Sequence, residues 1–230
     1  MSGASRDFGR ELYPFLYPDA NDDAGSVATL LDAVRSSTLA KCAEVVALRN
    51  ELFAEYEEDI VHAAHDMADR FAAGGKLLAF GNGGSATDAD DAASDCLTPP
   101  VNGWRPLPAI SLPADSATVT ALANDVGFEH AFSRPIAALG ERGDIALGFS
   151  TSGNSANVVA ALAHARKRGL LTVAFCGYDG GILARAGSVD HCFVARREFV
   201  PRIQEGHATL WHALLELVQV SLAERVEVGP

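Results

Sequence analysis

The chain has 230 residues, of which 48% are hydrophobic, and a formal net charge of −12. This length and apolar content are enough for a sizeable core in one domain. The acidic balance argues against general binding of nucleic acid or of an anionic membrane, because both need a basic surface. The four cysteines form no CxxC motif, so no disulfide framework or zinc knuckle is expected. Without a leader or an apolar run of membrane length, the sequence predicts a cytoplasmic protein.

The N-terminal region divides into an irregular segment and a helical one. Residues 1–25 are rich in Tyr, Pro and Asp and are predicted to form an irregular extension, followed by a single domain over 26–230. From 26 to 73 the apolar residues recur at spacings of three and four, which predicts two amphipathic helices. Gly74 and Gly75 are expected to end the second helix.

After residue 75, short apolar segments alternate with helical ones. The predicted strands are 76–80, 108–112, 144–149, 170–176 and 190–195. The predicted helices are one starting at 85, then 115–123, 129–139, 155–168, a short one near 181–186, and 202–225. This alternation predicts an α/β fold with a doubly wound parallel sheet, in which ligands bind beyond the carboxyl ends of the strands.

Two Gly/Ser-rich turns, 81–85 and 150–155, stand where a predicted strand passes into a helix. Free backbone N–H groups and the positive end of a helix dipole meet at such a turn, so an anion can be held there without Lys or Arg. One such turn could simply reverse the chain, but two of them predict a phosphate cradle. Hydroxyl groups that can add hydrogen bonds are those of Ser85, Ser150, Thr151, Ser152 and Ser155.

The first turn also fits the dinucleotide pattern GxGxx[GA] over residues 81–86. The acid that would bind the ribose is missing after the strand 108–112, and the chain has no GK[ST] phosphate loop. No nucleotide cofactor is therefore expected.

The helix after the first turn carries Asp88, Asp91 and Asp95 on one stripe, at positions i, i+3 and i+7. The plain interpretation is a solvated acidic face. Because neighbouring carboxylates repel, the alternatives are a divalent metal, a basic group of a partner subunit, or one protonated carboxyl.

The last predicted helix begins with a dense polar run. Gln204 and His207 share one face, and Glu205 and His212 share another. Polar groups on an apolar helix need partners if they are buried, so a histidine here is either a satisfied core residue or part of a site. Spacing alone leaves both alternatives open.

Taken together and in this order, the segments 81–85, 123–128, 150–155, 177–181 and 202–212 resemble the phosphoheptose isomerase family of the sugar isomerase (SIS) fold. The resemblance covers roughly residues 30–225. It implies a flavodoxin-like, five-stranded parallel sheet with an N-terminal helical pair. It also implies a homotetramer with sites between subunits, which interconverts sedoheptulose 7-phosphate and D-glycero-D-manno-heptose 7-phosphate through an enediol.

By position, the resemblance also implies residue roles. The substrate- or phosphate-binding residues would be Asn82, Gly83, Gly84, Ser85, Asp125, Ser150, Thr151, Ser152, Ser155 and Gln204. The catalytic acid and base would be Asp95 and His212. The metal ligands would be Asp91, Asp95, Gln204 and His212.

The chain departs from the family pattern at two places. The family has a His and a Glu where this chain has Asp91 and Asp95, so zinc remains the expected metal but the harder manganese is also suitable. The family's Gly-Arg-aromatic run is replaced by residues 96–100, which leaves Arg105 or Arg202 to supply the missing cation. These departures keep two alternatives open: an isomerase of another ketose phosphate, or a non-catalytic sugar-phosphate-binding regulator of the type that associates with a replication initiator.

Overall fold

The computed structural model describes residues 27–185 and 187–228, so the predicted extension over 1–25 lies outside the described residues. The chain divides into two compact units, residues 1–47 and 48–230. The described part of the first unit is helical, and most of its side chains are exposed. No helix within the described residues combines the length and the hydropathy needed to cross a membrane.

The first helical region, α1, spans Val27–Ala72. It consists of two helices that meet at a kink at Tyr56, where φ is −119° and ψ is 15°, so the predicted pair of helices is confirmed. The hydroxyl of Tyr56 accepts a hydrogen bond from the backbone N–H of Val194 at 3.1 Å. Its ring packs edge-on against Phe193, with the ring centroids 5.3 Å apart. Burial raises the pKa of Tyr56 to about 12, which keeps its hydroxyl protonated.

The remaining described residues alternate between strands and helices. The strands are β1 Leu77–Gly81, β2 Ala109–Ser111, β3 Ile145–Ser150, β4 Leu171–Gly177 and β5 His191–Ala195. The helices are α2 Gly84–Leu97, α3 Ser116–Asp125, α4 Ser133–Leu139, α5 Ala156–Lys167 and α6 Val200–Val228. A short 3₁₀ helix, Phe128–His130, precedes α4.

The strands form one parallel sheet in the order β2-β1-β3-β4-β5. In the centre of the sheet, Ile145 of β3 lies opposite Leu77 of β1 and Leu171 of β4. Strands β1, β3 and β4 are buried over their whole length, as expected for strands covered on both faces. This is the flavodoxin-like, doubly wound order, so the predicted fold class is confirmed.

Two hydrophobic clusters hold the layers together. On one face of the sheet, α1, α2 and α6 contribute residues such as Met67, Ala92 and Leu214. On the other face, α4 and α5 contribute Ile136 and Leu162. Because both faces are covered, the edge at the carboxyl ends of the strands is left to form a site.

Two predicted helices differ from the structure. The predicted helix 129–139 begins as the 3₁₀ turn and becomes α-helical only in α4. The short helix predicted near 181–186 forms turns over 181–185, and residue 186 lies outside the described part. Gly180 and Gly181 have φ values of 82° and 55°, and such left-handed residues cannot continue a right-handed helix.

Candidate functional site

The two Gly/Ser turns meet at the carboxyl edge of the sheet. We call residues 81–85 loop 1 and residues 150–155 loop 2. Their parent strands β1 and β3 are paired neighbours, with Gly81 opposite Phe149. Helix α2 begins within loop 1, at Gly84, and α5 begins directly after loop 2, so the N–H groups of two helix starts are available at the same edge.

Loop 1 is shaped by glycines that leave room for α6. Gly83 has a φ of 59°, and Gly84 is the first residue of α2. A Cβ atom on Gly84 would lie 2.3 Å from Nε2 of Gln204. Only glycine therefore allows the side chain of Gln204 to reach loop 1, and the structure brings together these two predicted binding elements.

The side chains of loop 2 hydrogen-bond to one another. Ser150 donates from Oγ to Oγ of Ser155 at 3.0 Å, and the backbone N–H of Asn154 donates to Oγ of Ser152 at 3.2 Å. Ser150 is buried, while Thr151 and Ser152 are half-buried. The predicted phosphate-binding hydroxyls of this loop therefore lie in one braced turn.

Loop 2 is also fixed from outside by the segment after β4. Oδ1 of Asn154 accepts a hydrogen bond from the N–H of Ile182 at 3.0 Å. Gly153, with a φ of 63°, lies so close to this segment that a Cβ atom would be 1.9 Å from the carbonyl oxygen of Gly180. The backbone of loop 2 is consequently held on both sides.

A pair of asparagines joins the two loops. The amides of Asn82 and Asn157 bond reciprocally, with both Nδ2–Oδ1 distances at 2.8 Å. Asn157 is only 2% exposed, and it also accepts a hydrogen bond from the N–H of Val158. Asn82 was among the predicted site residues but Asn157 was not. The sequence signal that could have identified Asn157 is its place in the first turn of a helix, directly before apolar residues.

Helices α2 and α6 lie side by side, in parallel. Gln204 Nε2 is 3.4 Å from Asp88 Oδ2, and Trp211 Nε1 donates to Asp95 Oδ2 at 3.0 Å. The two contacts are seven residues apart on both helices, which shows that the helices run in the same direction. Because an ionised carboxylate only accepts, Asp88 turns the amide nitrogen of Gln204 toward α2.

The predicted acid and base are brought together at the far end of this contact. Nε2 of His212 lies 3.7 Å from Oδ2 of Asp95, and the two side chains are 66% and 22% exposed. The bond from Trp211 fixes the Asp95 carboxylate. Burial, with a smaller contribution from the charge of Asp95, raises the pKa of Cys96 to about 12, so this neighbouring thiol stays protonated and unreactive.

His207 is a core residue. It is fully buried, and its Nε2 lies 2.9 Å from the carbonyl oxygen of Cys176, to which it donates. Its ring packs near Phe149 and Phe175, with both centroid distances at 6.0 Å. Within the described part of the chain its Nδ1 has no hydrogen-bond partner; Asp88 Oδ2 lies 3.9 Å away.

Comparison with known proteins decides the family. A family model for the SIS domain matches residues 42–177. The phosphoheptose isomerase of Thermodesulfovibrio yellowstonii is 44% identical over 181 residues, which are 79% of this chain and 89% of that protein. The chain belongs to the phosphoheptose isomerase family of SIS-domain proteins.

Solved structures of this family agree. The phosphoheptose isomerase of Neisseria gonorrhoeae has a TM-score of 0.74 at 35% identity, covering 81% of this chain and 99% of that one. The phosphoheptose isomerase of Francisella tularensis has a TM-score of 0.71 at 30% identity, covering 83% and 98%. Similarity over nearly the full length of both solved chains indicates that the whole SIS domain is shared.

The structure brings together two of the four predicted metal ligands, because Asp95 lies beside His212. The carboxylate, amide and imidazole groups of the predicted set suit zinc or manganese. Gln204 precedes His212 by eight residues on α6, so a metal between their side chains would bridge about 12 Å along the helix axis. Among the described residues, no group of three or more His, Cys, Asp or Glu side chains could hold a metal ion. The metal therefore stays a prediction.

The two arginines considered as replacements for the family's missing cation occupy different places. Arg202, in the first turn of α6, is buried and donates from Nη1 to both carboxylate oxygens of Glu205, at 2.9 and 2.7 Å. The backbone of Arg105 exchanges hydrogen bonds with the side chain of Gln219, which lies about 22 Å beyond Gln204 along α6. Within one chain, only Arg202 is close to the loops.

The predicted sugar-contacting acid, Asp125, is the last residue of α3. It is exposed, and its Oδ1 accepts a hydrogen bond from Asn124 Nδ2 at 2.6 Å. Its role in binding sugar stays a prediction.

Proposed function

We infer that this chain is an aldose–ketose isomerase that interconverts sedoheptulose 7-phosphate and D-glycero-D-manno-heptose 7-phosphate. The observation that carries this inference is the pairing of Asp95 on α2 with His212 on α6, two helices whose N-terminal turns contact each other at loop 1. A carboxylate and an imidazole in this position provide the two titratable groups that enediol chemistry requires. Relatives at 44% identity are named phosphoheptose isomerases.

The phosphate end of the substrate binds at loops 1 and 2. Backbone N–H groups and the hydroxyls of Ser85, Ser150 and Ser155 provide donors, and the starts of α2 and α5 provide favourable dipoles. This arrangement explains how a chain of net charge −12 can hold a phosphate without a lysine or arginine in either loop.

The reaction itself moves two protons. In the ketose-to-aldose direction, a base removes a proton from C1 while the oxygen on C2 gains one, which gives the enediol. Return of a proton to C2 and loss of the proton on O1 then give the aldose. Asp95 and His212 share these transfers. The shorter Asp95 still reaches its partner, since its Oδ2 lies 3.7 Å from Nε2 of His212.

The distances favour a site that a second chain completes. Ser85 and Asp95 are ten residues apart on α2, or about 15 Å along its axis. A seven-carbon sugar phosphate with C–C bonds of about 1.5 Å extends roughly 10 Å. We therefore propose that the acid and base of one chain serve the phosphate loops of another, in a cytoplasmic homotetramer. The proposed metal, zinc or alternatively manganese, would be held by Asp91, Asp95, Gln204 and His212.

The function is tested by NMR of sedoheptulose 7-phosphate incubated with metal-free protein and with protein reloaded with zinc or manganese. The expected result is an aldose anomeric signal, and its dependence on the metal tests the cofactor separately. Absence of that signal under every condition, while phosphate still binds, would contradict the inferred reaction and favour another ketose phosphate or a regulatory role.

Two variants of one helix control this experiment. Asp95→Asn removes the carboxylate that faces His212 and should abolish the signal. Asp90→Asn removes an exposed carboxylate of the same helix, which accepts a hydrogen bond from Ser111, and should leave the signal in place. Equal activity of the two variants would contradict the role of Asp95.

A further inference from the structure

A second concave site lies at the opposite end of the sheet from the phosphate loops. It is a cavity of about 460 Å³, and Arg70, Arg142 and Arg166 all line it. It also borders Leu171, the first residue of β4. Since β4 has seven residues, the cavity is roughly 20 Å from the carboxyl edge. It is therefore separate from the candidate active site.

The acidic residues of this cavity already have partners. Asp190 pairs through Oδ1 with Nε of Arg166 at 3.3 Å, and its Oδ2 accepts hydrogen bonds from the backbone and hydroxyl of Thr172 at 2.9 and 2.7 Å. Asp66 Oδ2 lies 2.8 Å from Nε2 of His191. Neither carboxylate is paired with Arg70 or Arg142, and three guanidiniums against two carboxylates leave the cavity lining with a formal charge of +1.

Arg70 and Arg142 carry the unbalanced charge. Within the part of the chain that the structure describes, neither guanidinium has a hydrogen-bond or ion-pair partner. In a protein of net charge −12, carboxylates are abundant, yet none pairs with these two groups. The cavity thus has a local positive charge that a bound anion would neutralise.

The three arginines reach the cavity from separate parts of the fold. Arg70 and Arg166 are in the last turns of α1 and α5, where a cation also interacts favourably with the helix dipole. That explanation does not cover Arg142, which is in the loop before β3. The stem of Arg142 lies against Gly169, where a Cβ atom would be 3.2 Å from the arginine Cγ. Packing therefore holds this side chain beside the cavity.

We propose that this cavity binds a small molecule carrying two linked phosphate groups, at a site distinct from the phosphate loops. Guanidinium groups bind phosphate oxygens with two parallel hydrogen bonds, and two unpaired guanidiniums fit a diphosphate or bisphosphate better than a single charge. The volume is within the range of small-molecule sites. Because the cavity is about 20 Å from the loops, its occupant is an effector rather than a substrate.

Calorimetric titration with pyrophosphate tests the proposal. The protein is the full chain with Ser150→Ala and Ser155→Ala, which weaken the loops and leave the cavity intact. Binding of one pyrophosphate per chain is expected. Adding Arg70→Gln and Arg142→Gln should weaken it at least tenfold, while adding Arg134→Gln, an exposed arginine on α4, should leave it unchanged. The single variant Arg142→Gln, which changes only an exposed loop and should disturb the fold least, should also weaken pyrophosphate binding.

Three results would overturn the proposal. The first is no pyrophosphate binding at millimolar concentration in the chain with weakened loops. The second is the same affinity with and without the two arginines, which would place the binding elsewhere. The third is tighter binding of succinate than of pyrophosphate, which would exclude phosphate as the recognised group. None of these results depends on the isomerase reaction.

Discussion

Loop 1 and loop 2 leave neighbouring strands and share a Gly/Ser composition, but their side chains have different partners. Loop 2 is braced by its own hydroxyls and by Gly180 and Ile182. Loop 1 instead contacts other parts of the site, through Asn157 on α5 and Gln204 on α6. The difference shows two uses of similar turns. We expect loop 2 to be a fixed anchor for the phosphate, and loop 1 to connect that anchor to the helices that carry the predicted acid and base.

The largest expected effect lies on the side of loop 1, on the helix α6 that this loop contacts through Gln204. His212→Ala should lower turnover by about 100- to 10,000-fold, the usual contribution of a general acid or base. The side chain is 66% exposed, so the fold should persist, and sugar phosphate should still bind. NMR turnover and calorimetric binding of the same preparation check both points; retained turnover would rule out His212 as the acid or base.

Gly84→Ala tests whether loop 1 acts through α6. The new methyl group would stand 2.3 Å from Nε2 of Gln204 and displace the flexible end of that side chain, so a drop of roughly 100-fold in kcat is expected with little change in Tm. The double variant with Gln204→Ala should be no worse than Gln204→Ala alone, because both changes act on the same group. Additive losses would show that Gly84 acts in another way.

Gly153→Ala tests the anchor. The methyl group would lie 1.9 Å from the backbone oxygen of Gly180, and backbone cannot swing aside as a side chain does. With the added cost of a left-handed φ, the free energy of unfolding should fall by about 2–3 kcal/mol, as measured by urea denaturation. If Gly153→Ala proves as stable as Gly84→Ala, loop 2 is not more rigidly held than loop 1.

Asn157→Ala should have the smallest effect and should involve both loops. It removes the buried partner of Asn82, but Asn82 is half-buried and can recruit water. We expect a loss of about 1 kcal/mol in stability and a modest weakening of phosphate binding. Asn102→Ala is the matched control, since this asparagine is exposed and lies outside both loops. Identical phosphate affinities for the two variants would show that the asparagine pair does not couple the loops.

Much of this architecture is readable from the sequence, since buried parallel strands need continuous apolar runs and Gly/Ser turns follow two of them. The pair of helices in α1 is predictable from apolar spacing, but the position of its kink at Tyr56 is not, because no Gly or Pro marks it. The helix predicted near 181–186 is wrong, because the apolar residues Ile182 and Leu183 do not reveal the left-handed φ values of Gly180 and Gly181. Asn157 was missed because its importance depends on Asn82, 75 residues away.

The hydrogen bond between Tyr56 and Val194 has a consequence for solubility. Strand β5 is an outer strand of the sheet, and an outer strand with unpaired N–H groups is a template for pairing with another chain. The hydroxyl of Tyr56 takes the Val194 N–H, and the ring covers Phe193 beside it. Tyr56, a side chain of α1, thereby hinders the β5 edge of the sheet from pairing with a strand of another chain.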